Sequence, residues 1–177
     1  MRRSPIYSEL ADAGAVWGQR SAWERPSYFV PPPARPEEFA EPGTFGMPKY
    51  NSLVAQESNF CRNSVALFDL TSFSKYSVAG PDALAVMQRL CCANMDVEPG
   101  SIVYTGMLNQ RGGYEADVTA TRLSEREFSV VSATAQATKD LSWIRGTFAQ
   151  YACSRHLCQI AGPCWLLVCV FRSYRRI

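Results

Sequence analysis

The sequence predicts an α+β fold with mostly antiparallel strands and helices packed against them. Short runs rich in apolar and β-branched residues recur at 66–70, 75–79, 102–108, 114–123 and 127–132. Helical spacing of apolar residues separates them at 81–92 and 134–148. Consecutive strands joined by short turns pair side by side, which gives antiparallel neighbours.

Residues 1–29 hold a short amphipathic piece around 6–16, followed by the aromatic residues Trp17, Trp23, Tyr28 and Phe29, which read as core. Residues 30–48 contain six prolines and several glutamates, a composition that resists helix and sheet because proline lacks a donor and fixes φ. This stretch reads as an ordered surface loop. A helix is expected over 52–63 and strands over 66–70 and 75–79. Gly80 then breaks the strand, Pro81 suits a first helical turn and Asp82 favours the positive end of the dipole, so a helix should run over 81–92. Leu84, Val86, Met87 and Leu90 recur at helical spacing and should face a sheet. An apolar strand over 102–108, a turn at Asn109 to Gly113 and a returning strand form a β-hairpin. A strand over 127–132 and a helix over 134–148, with Leu141, Ile144 and Phe148 inward, complete the pattern. The expected division is 1–48, an N-terminal segment and Pro-rich loop; 49–150, the patterned domain; and 151–177, an atypical Cys-rich apolar tail.

A chain of 177 residues with 47% hydrophobic content can bury a core of ordinary size. Its net charge of +2, from 18 basic and 16 acidic residues, provides no field of the kind that nucleic-acid binding uses. Nucleic acid is therefore not an expected partner. Seven cysteines form no CxxC pair, and the single histidine, His156, has no finger-like spacing to them, so no metal site is expected. Cys91 and Cys92 end a helix, where cysteine acts as a small buried hydrophobe. The odd count, with no secretory signal, favours a reducing compartment. The start carries Arg2 and Arg3 but also Glu9 and Asp12, unlike an acid-poor transit peptide. The apolar run Cys164 to Phe171 falls far short of the roughly 18 residues of a membrane-spanning helix. It reads as a buried strand or exposed tail, or as an interfacial anchor aided by Arg172, Arg175 and Arg176.

One carboxylate stands out. Asp117 lies in an otherwise uncharged stretch of strand among Val118, Thr119, Ala120 and Thr121, just after a Gly-Gly turn. Two readings follow from the residues alone: a solvated or turn-capping acid, or an acid aimed at a ligand. Asp69, at the end of ALFDL, reads as structural, bonding nearby backbone or Thr71 and Ser72. Glu24 beside Arg25 reads as a surface pair, and Glu57 as a solvated carboxylate.

Four ordered blocks carry a family resemblance: AGAVWGQRSAWERPSYF, CRNSVALFDLTSFSKYSVAGPDAL, CANMDV and MLNQRGGYEAD. Together they resemble the glycine-cleavage T-protein family of tetrahydrofolate-dependent aminomethyltransferases. The wording is more similar still to the C-terminal folate domain of dimethylglycine and sarcosine dehydrogenase-like flavoproteins and of the pyruvate dehydrogenase phosphatase regulatory subunit. The resemblance implies the N-terminal portion of the aminomethyltransferase folate-binding fold, incomplete, in a piece of a longer gene product. It implies a folate domain that captures the one-carbon unit released by N-methyl amine oxidation, in a mitochondrial setting. FAD belongs to the parent family's oxidoreductase domain; this chain has no Gly-x-Gly-x-x-Gly after a strand to cradle it. A small-molecule folate is the implied ligand, with a flavin oxidoreductase domain or another protein as partner.

Residue by residue, the family's second motif acid maps onto Asp117, where it would orient the folate and assist proton movement as the catalytic and cofactor-binding acid. Tyr104 matches a strand tyrosine near folate, although a half-buried strand aromatic would look the same. Ser132 stands where the aminotransferring enzymes carry a folate-contacting asparagine, and Ala116 replaces the first acid of the motif. Both departures count against a free-standing aminomethyltransferase. A non-catalytic regulatory or interaction module, like the phosphatase regulatory subunit, fits the same motifs.

Overall fold

The structure, a computed structural model, describes residues 1–40, 43, 45–150, 159–161 and 168–172, with 148–150 and the last two stretches as backbone. In chain order the elements are α1 (Tyr7–Asp12), β1 (Ala15–Arg20), β2 (Trp23–Phe29), α2 (Asn51–Asn63), β3 (Val65–Asp69), β4 (Ser74–Ala79) and α3 (Ala83–Leu90). They continue with β5 (Ile102–Leu108), β6 (Tyr114–Ser124), β7 (Glu127–Ser132), α4 (Ala137–Gln150), β8 (Gln159–Ala161) and β9 (Val168–Arg172). Short 3₁₀ turns lie at Pro36–Glu38 and Thr134–Gln136. The α+β class is as the sequence predicts, and every strand pair within the described sheets is antiparallel. No helix among the described residues is long and apolar enough to cross a membrane.

The chain forms two compact units, Met1–Ser72 with Leu166–Ile177, and Phe73–Trp165. In the first, β1 and β2 make a hairpin, so the amphipathic piece expected around 6–16 divides into α1 and the start of β1, which takes Val16. Its two-residue turn uses Ser21 and Ala22, both at positive φ (46° and 67°), the geometry that matches strand twist but usually calls for Asn or Gly. Pro26 is tolerated in β2 opposite Trp17, where the register shifts. Of the four aromatics read as core, only Tyr28 is buried, stacked on Tyr50 at 4.4 Å; Trp17 stacks on Tyr7 at 4.0 Å and, like Trp23 and Phe29, is half-buried. Gly14, at φ +87°, is required, since a Cβ there would overlap the Val30 carbonyl.

Two acids differ from expectation in this unit. Glu24 pairs with Arg3 of the N-terminal segment at 2.6 Å, whereas adjacent strand residues such as Arg25 point to the opposite face. Glu57 is not merely solvated: it accepts the Phe29 backbone N–H at 2.8 Å, tying α2 to the end of β2. Asp69 does what was expected, accepting the Thr71 N–H at 3.0 Å. The apolar end of the tail supplies β9, which pairs with β3 from Val65↔Arg172 to Asp69↔Val168.

The second unit is a five-stranded sheet in the order β5-β6-β7-β4-β8. Burial alternates along β6 and β7, so Ala116, Val118 and Ala120 share one face with Phe128 and Val130. α3 and α4 pack on that face through Ala83, Val86, Met87, Leu90 and Ile144, with Leu84 and Leu141 partly buried beside them. Each large apolar side chain fully buried here contributes about 1.5–3 kcal/mol of transfer free energy. Phe148 lies outside the described side chains. α3 begins later than expected: Asp82 is its N-cap, without a side-chain cap bond, and Pro81 precedes it. Cys91 is buried as predicted, but Cys92 is exposed.

Candidate functional site

The β5–β6 hairpin carries one irregularity. Met107 pairs with Ala116 and Leu108 with Tyr114, so Glu115 is an extra residue, a β-bulge. Regular alternation from Asp117 would put Glu115 outward and Tyr114 inward. The bulge reverses both. Glu115 turns to the helix side, where it accepts from Asn109 Nδ2 at 2.9 Å and meets Lys139 Nζ of α4 at 3.2 Å. The Asn109 amide and then Lys139 hold its carboxyl below its ordinary range. Tyr114 turns to the opposite, exposed face.

On that face lie Asp117 and Tyr104. Asp117 stands opposite Gly106 in the register, and Tyr104 is one alternation away, opposite Thr119. The Tyr104 hydroxyl donates to Asp117 Oδ2 at 3.2 Å. That bond, and then the negative charge of Asp117, raise the Tyr104 pKa, so the phenol keeps its proton and acts as donor. Tyr114 lies over Gly106: a Cβ at Gly106 would come within 2.5 Å of its Cζ and Oη. Two exposed tyrosines, 71% and 63% accessible, thus flank one exposed carboxylate. Such a set offers an anionic acceptor for ring N–H groups between aromatic surfaces, the chemistry a flat nitrogen heterocycle needs.

Ser132 is not part of this group. It pairs with Val118 and so shares the core face, 3% exposed. There it neighbours Asp140 of α4, 1% exposed. Neither the Ser132 hydroxyl nor either Asp140 oxygen has a hydrogen-bond partner of normal geometry among the described residues. Burial raises the Asp140 pKa, and the proximity of Ser132 and then of Lys139 only partly opposes it. Tyr114 was not singled out by sequence reasoning; its signal was a strand residue directly after Gly-Gly, legible only with the bulge in view. Among the described residues no three His, Cys, Asp or Glu side chains gather as a metal site.

Residues 6–163 match the GCVT N-terminal domain. The chain belongs to this family. Family relatives include the mitochondrial pyruvate dehydrogenase phosphatase regulatory subunit of Mus musculus, 38% identical over 146 residues, covering 81% of this chain and 17% of that protein. The 4-methylaminobutanoate oxidase (formaldehyde-forming) of Paenarthrobacter nicotinovorans is 38% identical over 145 residues, covering 82% and 17%. Human mitochondrial sarcosine dehydrogenase is 35% identical over 145 residues, covering 70% and 16%. The chain therefore spans about a sixth of the length of these relatives (17%, 17% and 16%). The fold matches the glycine cleavage system aminomethyltransferase T of Bartonella henselae with a TM-score of 0.74 at 22% identity, over 96% of this chain and 40% of that one. The structure is thus part of the aminomethyltransferase fold.

Proposed function

We propose that the Tyr104–Asp117 face binds tetrahydrofolate, as part of a domain that captures a one-carbon unit from N-methyl amine oxidation. The observation that carries this reading is the Tyr104 hydroxyl donating to Asp117 Oδ2 at 3.2 Å on an exposed face beside the Tyr114 ring. These residues fit the group. Asp117 can accept ring N–H groups, its exposure leaves an oxygen for them, and the tyrosines offer flat apolar surface. Tyr104 fixes the carboxylate rotamer, so that Asp117 can orient the ring and hold or release a proton at Oδ2. Bound there, tetrahydrofolate would supply the nitrogens that take the one-carbon unit. Ser132, buried on the other face, would act on the site only through the sheet. The amine oxidation would belong to an FAD-dependent oxidoreductase partner, and the mitochondrial names of two relatives support a mitochondrial setting.

A second reading, a regulatory or interaction module, is favoured by Ala116 in place of the first motif acid and by the phosphatase regulatory subunit among the relatives. The same departure, with Ser132, weighs against a glycine-cleavage aminomethyltransferase. Calorimetric titration with tetrahydrofolate under reducing conditions separates these. Saturable binding is expected, with Asp117→Ala about ten- to hundredfold weaker, the loss of a charge-assisted hydrogen bond, while circular dichroism stays unchanged. No heat at millimolar ligand from the folded protein would leave only the regulatory reading.

A further inference from the structure

Among the described residues the five-stranded sheet ends at β5, whose only neighbouring strand is β6. The outer edge of β5 is closed at one end and open at the other. Cys91 bridges Met107 in the antiparallel sense, and the Gly106 carbonyl accepts the Cys92 N–H at 3.0 Å. That bond shows the Gly106 backbone turned away from β6. In an antiparallel ladder the N–H and C=O of one residue point to the same side, and the side alternates along the strand, so those of Tyr104 and Ile102 point outward too. The Arg122 N–H, which donates to the Ser101 carbonyl at 3.0 Å, fits the same parity at the start of the strand. Among the described residues nothing bonds the outward N–H and C=O groups of Ile102 and Tyr104.

A bare edge invites another strand, and proteins commonly blunt it with proline, lysine or an inward-pointing charge. Residues 101–107, Ser-Ile-Val-Tyr-Thr-Gly-Met, carry none of these. The side chains beside the open groups are instead Ile102 and Tyr104, 68% and 71% exposed. Charge sets the kind of strand that fits. Asp117 lies on the same face as these two, and exposed Glu98 lies in the turn that leads into β5. Among the described residues neither forms an ion pair. No lysine or arginine occurs between Arg89 and Arg111, and Arg122 is committed to Asp96 at 2.7 Å. An arginine opposite Tyr104 could lay its guanidinium over the exposed ring, on the face that Asp117 occupies. We propose that the open edge of β5 receives an extended basic segment of a partner protein, which adds as a strand through the backbone of Ile102 and Tyr104 and lays alternate arginine or lysine side chains over Tyr104, in the field of Asp117 and Glu98. Tetrahydrofolate would occupy the face of the sheet; the segment occupies its edge.

The test is fluorescence anisotropy of two labelled peptides, Arg-Val-Arg-Val-Arg-Val and Glu-Val-Glu-Val-Glu-Val, titrated with the full chain. Saturable binding of the arginine peptide is expected, with the glutamate peptide at least about tenfold weaker. In the complex, hydrogen exchange at the Ile102 and Tyr104 amides should slow. Ile102→Pro deletes an outward N–H at the first residue of the strand without removing a bond to β6, and should weaken binding about tenfold. Ile102→Ala, which keeps the N–H, should weaken it less, and Glu98→Lys should narrow the gap between the two peptides. Absence of saturable binding by the arginine peptide would overturn the proposal, as would equal binding of the glutamate peptide or unchanged exchange at both amides. So would Ile102→Pro binding like the parent, or Ile102→Ala weakening binding as much as Ile102→Pro. A dimer in sedimentation that Ile102→Pro abolishes, with neither peptide bound, would assign the edge to a second copy of the chain and overturn it equally.

Discussion

Replacing Asp140 by asparagine should stabilise the protein at neutral pH, and the gain should vanish in acid. Asp140 is 1% exposed and both its oxygens lack partners among the described residues. Its place in the first turn of α4 sets it near the positive end of the helix dipole, a partial offset only. Burial, the dominant cause, raises its pKa above the ordinary 3.8. The sign follows from proton counts. Between the ordinary value and the raised one, the folded chain keeps a proton that the unfolded chain has lost. Stability therefore falls as pH rises through that window and levels off above the folded pKa. An unsatisfied buried polar group costs about 1–3 kcal/mol, and more when charged. Asparagine keeps the shape, removes the charge and brings an N–H₂ that can donate to the equally unpartnered Ser132 hydroxyl. We expect Asp140→Asn to gain about 1–2 kcal/mol at neutral pH, roughly 2–8 °C in Tm at about 2–4 °C per kcal/mol for a chain of this size. Below the ordinary carboxylate range the two proteins should match. Urea denaturation across that range measures both quantities. An Asp140→Asn protein less stable than the parent at neutral pH would refute the reasoning, since it would mean that the ionised carboxylate is well partnered.

Two neighbouring cysteines should react differently. Cys91 is buried, which pushes its thiol up to about 12, whereas Cys92 is exposed and its pKa is lowered, chiefly by the Thr105 hydroxyl. Peptide mapping after brief iodoacetamide treatment should find Cys92 alkylated and Cys91 protected until the protein unfolds, and Thr105→Val should slow Cys92 at mildly alkaline pH. Arg122 is 9% exposed, with Nη1 donating to the Val97 carbonyl at 2.6 Å and to Asp96 at 2.7 Å, and with its guanidinium near the Phe128 ring. Since Asp96 is 62% exposed, the ion pair itself is worth little. Arg122→Ala should still cost about 1–3 kcal/mol in chemical denaturation, through the orphaned carbonyl and lost packing. Asp96→Asn should cost under about 1 kcal/mol.

Periodicity made the second unit legible. β5 and β7 fall on the expected residues, Ile102–Leu108 and Glu127–Ser132, because each run has clear turn chemistry at its ends. The β1–β2 hairpin was hidden for the opposite reason. Its turn is Ser-Ala where local chemistry would ask for Asn-Gly, and Pro26 argues against a strand that survives by a register shift. The partners of Glu24 and Glu57 lie 21 and 28 residues away, a distance no local pattern encodes. For Cys92, sequence reasoning gave the helix end but not the turn of backbone that exposes it.

The candidate site shows where reading by parity stops. Asp117 and Tyr104 could be placed on one face by alternation, because no irregularity lies between Tyr104↔Thr119 and Gly106↔Asp117. Beyond Asp117 the count fails by one residue. Without the bulge, Tyr114 would enter the core and Glu115 would sit beside Asp117 as a second exposed carboxylate, and like charges on one face repel. With it, the aromatic ring joins the acid while the second acid goes to Lys139 on the other side. Gly106 completes the arrangement, since any Cβ there would displace the Tyr114 ring. A single inserted residue thus divides one hairpin between two surfaces of different chemistry, a carboxylate between tyrosines on one and the Glu115–Lys139 ion pair on the other.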